Sequence, residues 1–63
     1  MKTESVLYGL AHILETHAMG DDAINEFAVV VTSISDVVET SLVITMMGND
    51  GTEKTFLVTE VDD

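Results

Sequence analysis

The sequence predicts a single small α+β domain, residues 1–63, with one main N-terminal helix packed on a three-stranded antiparallel sheet. Apolar residues recur every three or four positions in the first third of the chain, which is typical of an amphipathic helix. From Ala28 onward β-branched residues dominate, as they do in strands. The segment Gly48-Asn49-Asp50-Gly51 interrupts them with a strong hairpin signal. A hydrophobic content of 46% predicts that the chain folds despite its charge.

The first helix is predicted to have Thr3 as its N-cap and to stop at Gly20. Glu4 suits the positive end of the helix dipole. Glycine inside a helix costs about 1 kcal/mol relative to alanine, so we expect close packing at Gly9. The predicted buried stripe consists of Val6, Leu7, Leu10, Ala11, Ile13, Leu14 and Ala18.

Residues 21–27 allow two interpretations, a short second helix capped by an aspartate or an acidic loop. The helix is favoured, although the segment is too short for periodicity to decide. Three strands follow, predicted from Val29 to Ile34, from Val38 to Met47 and from Glu53 to Val61.

The predicted hairpin sets a register between the last two strands. A two-residue type I′ turn at Asp50-Gly51 pairs Ile44 with Leu57, Met46 with Thr55 and Thr40 with Val61 on one face. The predicted pairs on the other face are Val43–Val58, Thr45–Phe56 and Met47–Lys54. Both faces then carry apolar residues, and one helix covers only one of them. The second face needs segment 21–27, another copy of the chain or a partner to cover it.

Charge is the strongest compositional signal. Twelve acidic residues stand against two lysines and no arginine, which gives a net charge of −10. Such a surface repels nucleic acid and is attracted to basic surfaces, which commonly belong to proteins that bind DNA or RNA. Two plainer interpretations are that the acidity keeps a small domain in solution, or that it reflects a halophilic host.

No catalytic, metal or cofactor motif is found. His12 and His17 are five residues apart and fall on different sides of a helix, so they do not form a metal pair. Asp21-Asp22 has no histidine or nucleophile in a recognised pattern and is interpreted as helix capping, solvated charge or partner contact. We therefore expect no enzyme, no cofactor and no direct binding of nucleic acid. No apolar run approaches a membrane span and no signal peptide is seen, so we expect a cytoplasmic protein.

One stretch resembles a known family. Glu4-Ser5-Val6-Leu7 is similar to the Glu-Ser-Ile-Leu stretch of the phage uracil-DNA glycosylase inhibitors, small acidic proteins that mimic DNA. The order of later elements is also similar: a helix, Gly20-Asp21-Asp22, Ala28-Val29-Val30-Val31-Thr32, an acidic connection 36–39 and Leu42-Val43-Ile44-Thr45. The resemblance implies a phage protein that evades host defence by blocking the DNA groove of uracil-DNA glycosylase in the host cytoplasm.

The resemblance also implies site residues. In that family a Glu-Ser pair lies where DNA phosphate would bind, and an apolar cavity captures the wedge that the enzyme inserts into DNA. Glu4 and Ser5 are then the phosphate mimics. The family places this motif on an edge strand, whereas Val6 here also fits the helical stripe. Candidate cavity residues are Val6, Val43, Met46 and Met47, and further candidate partner contacts are Asp21, Asp22, Glu26, Asp36 and Glu39.

Two other functions stay open at this point. One is the same DNA-mimicking mechanism directed at a CRISPR or restriction enzyme. The other is a structural or assembly module that dimerises through the spare face of its sheet.

Overall fold

The computed structural model describes residues 1–61 and shows two helices followed by three strands. The strands form one antiparallel sheet in the order β1-β2-β3. The predicted α+β fold is confirmed, and segment 21–27 contains the short helix rather than a loop. The elements are α1 (Thr3–His17), α2 (Ala23–Phe27), β1 (Val29–Ile34), β2 (Ser41–Gly48) and β3 (Glu53–Thr59).

The N-terminus of α1 differs from the prediction. Lys2 occupies the N-cap position and makes no side-chain capping bond, while Thr3 is already helical. The Thr3 hydroxyl instead donates a hydrogen bond to the Glu60 carboxylate, which ties the start of the helix to the end of β3. The helix ends at His17, where the Ala18 N–H still bonds the Leu14 carbonyl.

The buried stripe of α1 is narrower than predicted. Val6 and Ile13 are exposed, because the residues that meet the sheet are Leu7, Leu10, Ala11, Leu14 and Ala18. The close packing expected at Gly9 is also wrong. This residue is exposed, and a Cβ atom added to it would find nothing within 4 Å.

The short helix α2 packs against β1. Asp22 is its N-cap residue but makes no side-chain capping bond. The helix ends at Phe27, and the φ of 64° at the next residue, Ala28, lies in the left-handed region. This turn directs the chain straight into β1.

The connection between β1 and β2 is tighter than predicted. Val38 and Ser41 exchange two backbone hydrogen bonds, of 3.0 and 3.1 Å, across Glu39-Thr40. Glu39 has a positive φ of 57°, as the first central residue of a tight hairpin turn requires. Residues 38–40, predicted as the start of the second strand, therefore belong to this turn instead. Along β1, the pairing with β2 is interrupted by a bulge between Val31 and Ser33.

The β2–β3 hairpin forms, but its predicted register is wrong by one residue. The loop has three residues, 49–51, because the Gly51 N–H bonds the Gly48 carbonyl and the Gly48 N–H bonds the Thr52 carbonyl, both at 3.0 Å. Only Gly51 has a positive φ, 85°, whereas a type I′ turn needs two such residues. The pairs are therefore Leu42–Val58, Ile44–Phe56 and Met46–Lys54 on one face, and Val43–Leu57, Thr45–Thr55 and Met47–Glu53 on the other.

The core lies between α1 and one face of the sheet, which we call the inner face. Leu42 and Val31 are fully buried there, at 0% and 1% exposure. They pack with Ile44 of β2 and with Leu7 and Ala18 at the two ends of the helix. The opposite, outer face carries Val43, Thr45 and Met47 of β2, because side chains alternate along a strand.

Candidate partner-binding site

The helix does not cover the whole inner face. α1 packs on β1 and β2, while β3 is exposed along almost its entire length. Phe56 points to the inner face opposite the buried Ile44, yet 48% of it is exposed. Val58, opposite the fully buried Leu42, is only partly buried. The fold thus leaves an apolar strip open beside the helix.

This strip forms a channel between α1 and β3, which we call the inner-face groove. It runs as four adjoining cavities from the C-terminal to the N-terminal end of α1. Met46 lines three of them and therefore lies at the middle of the channel. Its principal apolar lining consists of Val6, Leu10, Leu14, Met46, Phe56 and Val58.

A carboxylate lies at each end of the inner-face groove. Glu60 lines the cavity near the start of α1, and Asp50 lines the cavity at the β2–β3 turn. The Asp50 carboxylate accepts a hydrogen bond from the Thr52 N–H at 3.0 Å, which together with the Thr52 hydroxyl lowers its pKa below the ordinary 3.8. Asp50 therefore keeps its negative charge at neutral pH. Lys54 lines the same cavity as Asp50, so both charges are present at the turn end, whereas Glu60 makes the other end anionic. An apolar channel with an anionic end suits a partner that presents an apolar side chain next to a basic group.

The four predicted cavity residues divide between the two faces of the sheet. Val6 and Met46 line the inner-face groove, at its N-terminal end and its centre. Val43 and Met47 lie on the outer face, because they alternate with the inward-pointing Ile44 and Met46 along β2. The structure therefore does not bring the four together.

The predicted partner contacts are all exposed, and they gather at the two ends of the sheet. Glu4 and Ser5 lie in the first turn of α1, not on an edge strand, and Asp36 and Glu39 lie in the β1–β2 connection at the same end. The other acids lie at the end that holds the β2–β3 turn, namely Asp21, Asp22 and Glu26. The eight residues of β2 separate the two groups by roughly 23 Å, at about 3.3 Å per residue.

The sequence interpretation missed Phe56 and Val58 as groove residues. The two-residue turn placed them opposite Thr45 and Val43, on the wrong face. The signal that would have found them is Gly51 as the third loop residue, since a three-residue hairpin loop commonly ends in a left-handed glycine. With that loop, Phe56 pairs with Ile44 and turns inward.

Over residues 1–61, no three side chains of His, Cys, Asp or Glu come together in a way that could hold a metal ion. Within the same range, neither helix has the length and apolar character needed to cross a bilayer.

Comparisons with known proteins found no protein family, no curated protein and no solved structure that matches this chain.

Proposed function

We propose that this chain is a non-enzymatic, DNA-mimicking inhibitor that binds the basic nucleic-acid groove of a DNA-handling enzyme, with uracil-DNA glycosylase as its target. The observation that carries the proposal is the open inner-face groove, mainly apolar along its length, with Glu60 at one end and Asp50 beside Lys54 at the other. An exposed apolar strip with a charged border is typical of a surface that binds a partner.

Charge supplies the first part of the binding mechanism. Two lysines can neutralise at most two of the twelve carboxylates, so ten remain uncompensated within the chain. The two groups of predicted partner contacts contain six of the twelve acids and lie at the two ends of the sheet that carries the groove. A basic surface would be attracted over a distance of about 8 Å at physiological salt, which accelerates and orients association.

The groove supplies the second part. Met46 at its centre has a flexible thioether side chain that can adapt its shape to an entering apolar group. The half-exposed ring of Phe56 offers a large apolar surface beside it. Affinity would come mainly from the desolvation of Met46 and Phe56, while the surrounding charges set the association rate and the orientation of the partner.

The target is named by the resemblance of Glu4-Ser5-Val6-Leu7 to the uracil-DNA glycosylase inhibitors. In support, Glu4 and Ser5 are exposed at the end of the inner-face groove where Val6 and Glu60 line it. A phosphate-mimicking pair next to an apolar cavity is the arrangement that the resemblance implies. The protein would act in the cytoplasm, where such a target repairs DNA.

The proposal is tested by a uracil-excision assay with increasing amounts of the protein. We expect inhibition by the wild type, and a loss of roughly tenfold or more in inhibitory affinity for Phe56→Ala, as for a residue at the centre of an interface. Tyr8→Ala is the matched control, because Tyr8 is an aromatic residue of similar exposure, 59% against 48%, outside the groove. Equal inhibition by both variants would show that the groove does not contribute to inhibition.

A second set of variants tests the carboxylates. Glu4→Gln and Glu39→Gln should slow association with the enzyme more than they speed dissociation, because exposed charges act mainly on encounter. Glu15→Gln, on the same helix as Glu4 but not at the groove, is the control with the same change of charge. If both test variants associate as fast as the wild type, these two acids are not the phosphate mimics.

The choice of target has its own control. A tagged chain used as bait in bacterial lysate should retain uracil-DNA glycosylase. If the chain fails to inhibit excision and instead retains a CRISPR or restriction nuclease, DNA mimicry holds and the named target is wrong.

A further inference from the structure

The outer edge of the sheet at β3 is an unprotected pairing surface. Natural proteins prevent such edges from pairing with other strands by means of bulges, prolines, charges or covering elements. The β1 edge carries a bulge between Val31 and Ser33, and α2 packs against that strand. β3 is paired regularly with β2 over all seven of its residues, contains no proline and is covered by neither helix, and its charged residues, Glu53 and Lys54, are confined to its first two positions.

The hydrogen-bond pattern shows which backbone groups face this edge. The Gly48 N–H bonds the Thr52 carbonyl, so the groups of Thr52 point towards β2. In an antiparallel ladder the direction alternates with every residue. The N–H and C=O groups of Thr55, Leu57 and Thr59 therefore point away from β2, where no strand formed by residues 1–61 pairs with them.

We propose that β3 pairs with the β3 strand of a second copy of this chain, and that the two sheets join into one six-stranded antiparallel sheet about a two-fold axis at Leu57. This inference does not rest on the proposed function. In this register Leu57 faces Leu57 of the second copy, and Thr55 faces Thr59 of the second copy. All of these residues belong to the edge-facing set, so their backbone groups can exchange the missing hydrogen bonds.

The strand is self-complementary in this register. On the inner face, Phe56 lies opposite Val58 of the second copy, and Lys54 lies opposite Glu60 of the second copy. Lys54 is one of only two lysines in the chain. The Glu60 side chain uses one oxygen, Oε1, in its bond with Thr3, which leaves Oε2 for the lysine. On the outer face, the exposed Leu57 would meet Leu57 of the second copy, with Val43 of β2 beside each leucine.

The surface area of the isolated chain agrees with a missing neighbour. Its accessible surface is 4679 Å², whereas a compact monomer of 6.8 kDa exposes about 4,000 Å². The excess of about 700 Å² is close to the area that one partner buries in a standard interface, about 800 Å². Part of the exposed apolar surface is on β3, where Leu57 is 65% and Phe56 is 48% exposed.

Charge predicts how this dimer responds to salt. Two copies of net charge −10 repel each other, so added salt should tighten the dimer by screening. Binding to a basic partner should instead weaken as salt is added. The two associations on this molecule are therefore distinguishable by the sign of their salt dependence.

Sedimentation equilibrium of the full chain tests the proposal. We expect a mass of twice 6.8 kDa at high concentration, with dimerisation stronger in 0.5 M than in 0.05 M NaCl, a range over which the screening length falls from about 14 to about 4 Å. Leu57→Glu places two like charges on the axis and should abolish the dimer. The side chain is exposed in the monomer, so the fold should be unaffected, as circular dichroism would show. A wild-type chain that stays monomeric at millimolar concentration in high salt would overturn the proposal.

A charge exchange tests the register. Lys54→Glu and Glu60→Lys should each weaken self-association roughly tenfold, because each creates two like-charge contacts across the axis. An equimolar mixture of the two variants should associate as tightly as the wild type, since both contacts then pair opposite charges. If the mixture dimerises no better than either variant alone, the two-fold register at Leu57 is wrong.

Discussion

At the scale of single residues, the folded chain depends on very few buried side chains. Leu42 and Val31 are the two that are completely enclosed. Most other apolar residues pack on one side only, which is typical of a chain this short, because a small domain has little interior. Local polar contacts therefore matter more here than in a larger protein.

Asp50 is such a contact, and its pKa makes it testable. The folded-state pKa is lowered, mainly by the hydrogen bond from the Thr52 N–H. The stabilisation by Asp50 should be complete above the unfolded pKa of 3.8 and should be lost as the pH falls through the lower folded value. Asp50→Asn should then be less stable than Asp36→Asn at pH 7, and the difference should disappear in strong acid.

Urea unfolding of the two variants between pH 2 and 7 measures this difference. Asp36 is the matched control because it is also an exposed aspartate and loses the same charge, but its carboxylate has no hydrogen bond among residues 1–61. A difference between the variants that does not change with pH would show that the Asp50 charge does not stabilise the turn.

At the scale of elements, the sequence specifies α1 and the β2–β3 hairpin in different ways. The helix is specified by a repeating apolar stripe, and its exact ends have little effect on packing. The hairpin depends on one loop, since a single additional residue moves every side chain of β3 to the other face. Because the loop has three residues, Phe56 pairs with Ile44 and its side chain points into the inner-face groove.

One position in α1 can be substituted to increase the stability of the fold. Gly9 is exposed in the middle of α1, and its added Cβ would meet no atom within 4 Å. Gly9→Ala should therefore stabilise the fold by about 0.5–1 kcal/mol, because alanine loses less backbone freedom in a helix. Thermal unfolding should show a rise of several degrees.

Gly51→Ala is the opposing control for that prediction. Gly51 also has open space around it, but its φ of 85° disfavours a side chain, so this variant should be destabilised. If Gly9→Ala is also destabilised, the exposed environment described for this part of α1 is wrong.

At the scale of the whole molecule, self-repulsion competes with a small core. The chain carries a net charge of −10 within principal dimensions of 34 × 20 × 20 Å. Screening by salt reduces this repulsion, so the melting temperature at pH 7 should rise between 10 and 150 mM NaCl, as the screening length falls from about 30 to about 8 Å. A gain of about 1 kcal/mol corresponds to a shift of roughly 4–8 °C for a domain of this size.

Scanning calorimetry at low protein concentration, where the monomer dominates, checks this prediction. The control is the same salt series near the isoelectric point of about 4.1, where the net charge vanishes and salt should have little effect. A melting temperature that is equally independent of salt at both pH values would show that repulsion is unimportant. Complete unfolding at low salt would favour the halophilic interpretation.

The sequence by itself determined α1, the approximate positions of the three strands and the acidity of the surface. It left segment 21–27 open, and it placed residues 38–40 in a strand rather than in the β1–β2 turn. The properties that it determined are local or additive: the apolar stripe of α1 and the β-branched run from Val29 to Ile34 do not depend on distant residues. Met46, a cavity candidate by the family resemblance, lines the inner-face groove, whereas Met47 lies on the outer face.

Only the tertiary structure decided the faces of the hairpin, the exposure of Val6 and Ile13 and the open edge of β3. Each depends on contacts between segments that the chain pattern leaves undetermined. Two-residue and three-residue loops are both compatible with the turn sequence, yet they turn opposite side chains inward. How far α1 reaches across the sheet is set by the packing of Leu7, Leu10 and Leu14 against β1 and β2, and this packing leaves Phe56 and Leu57 exposed.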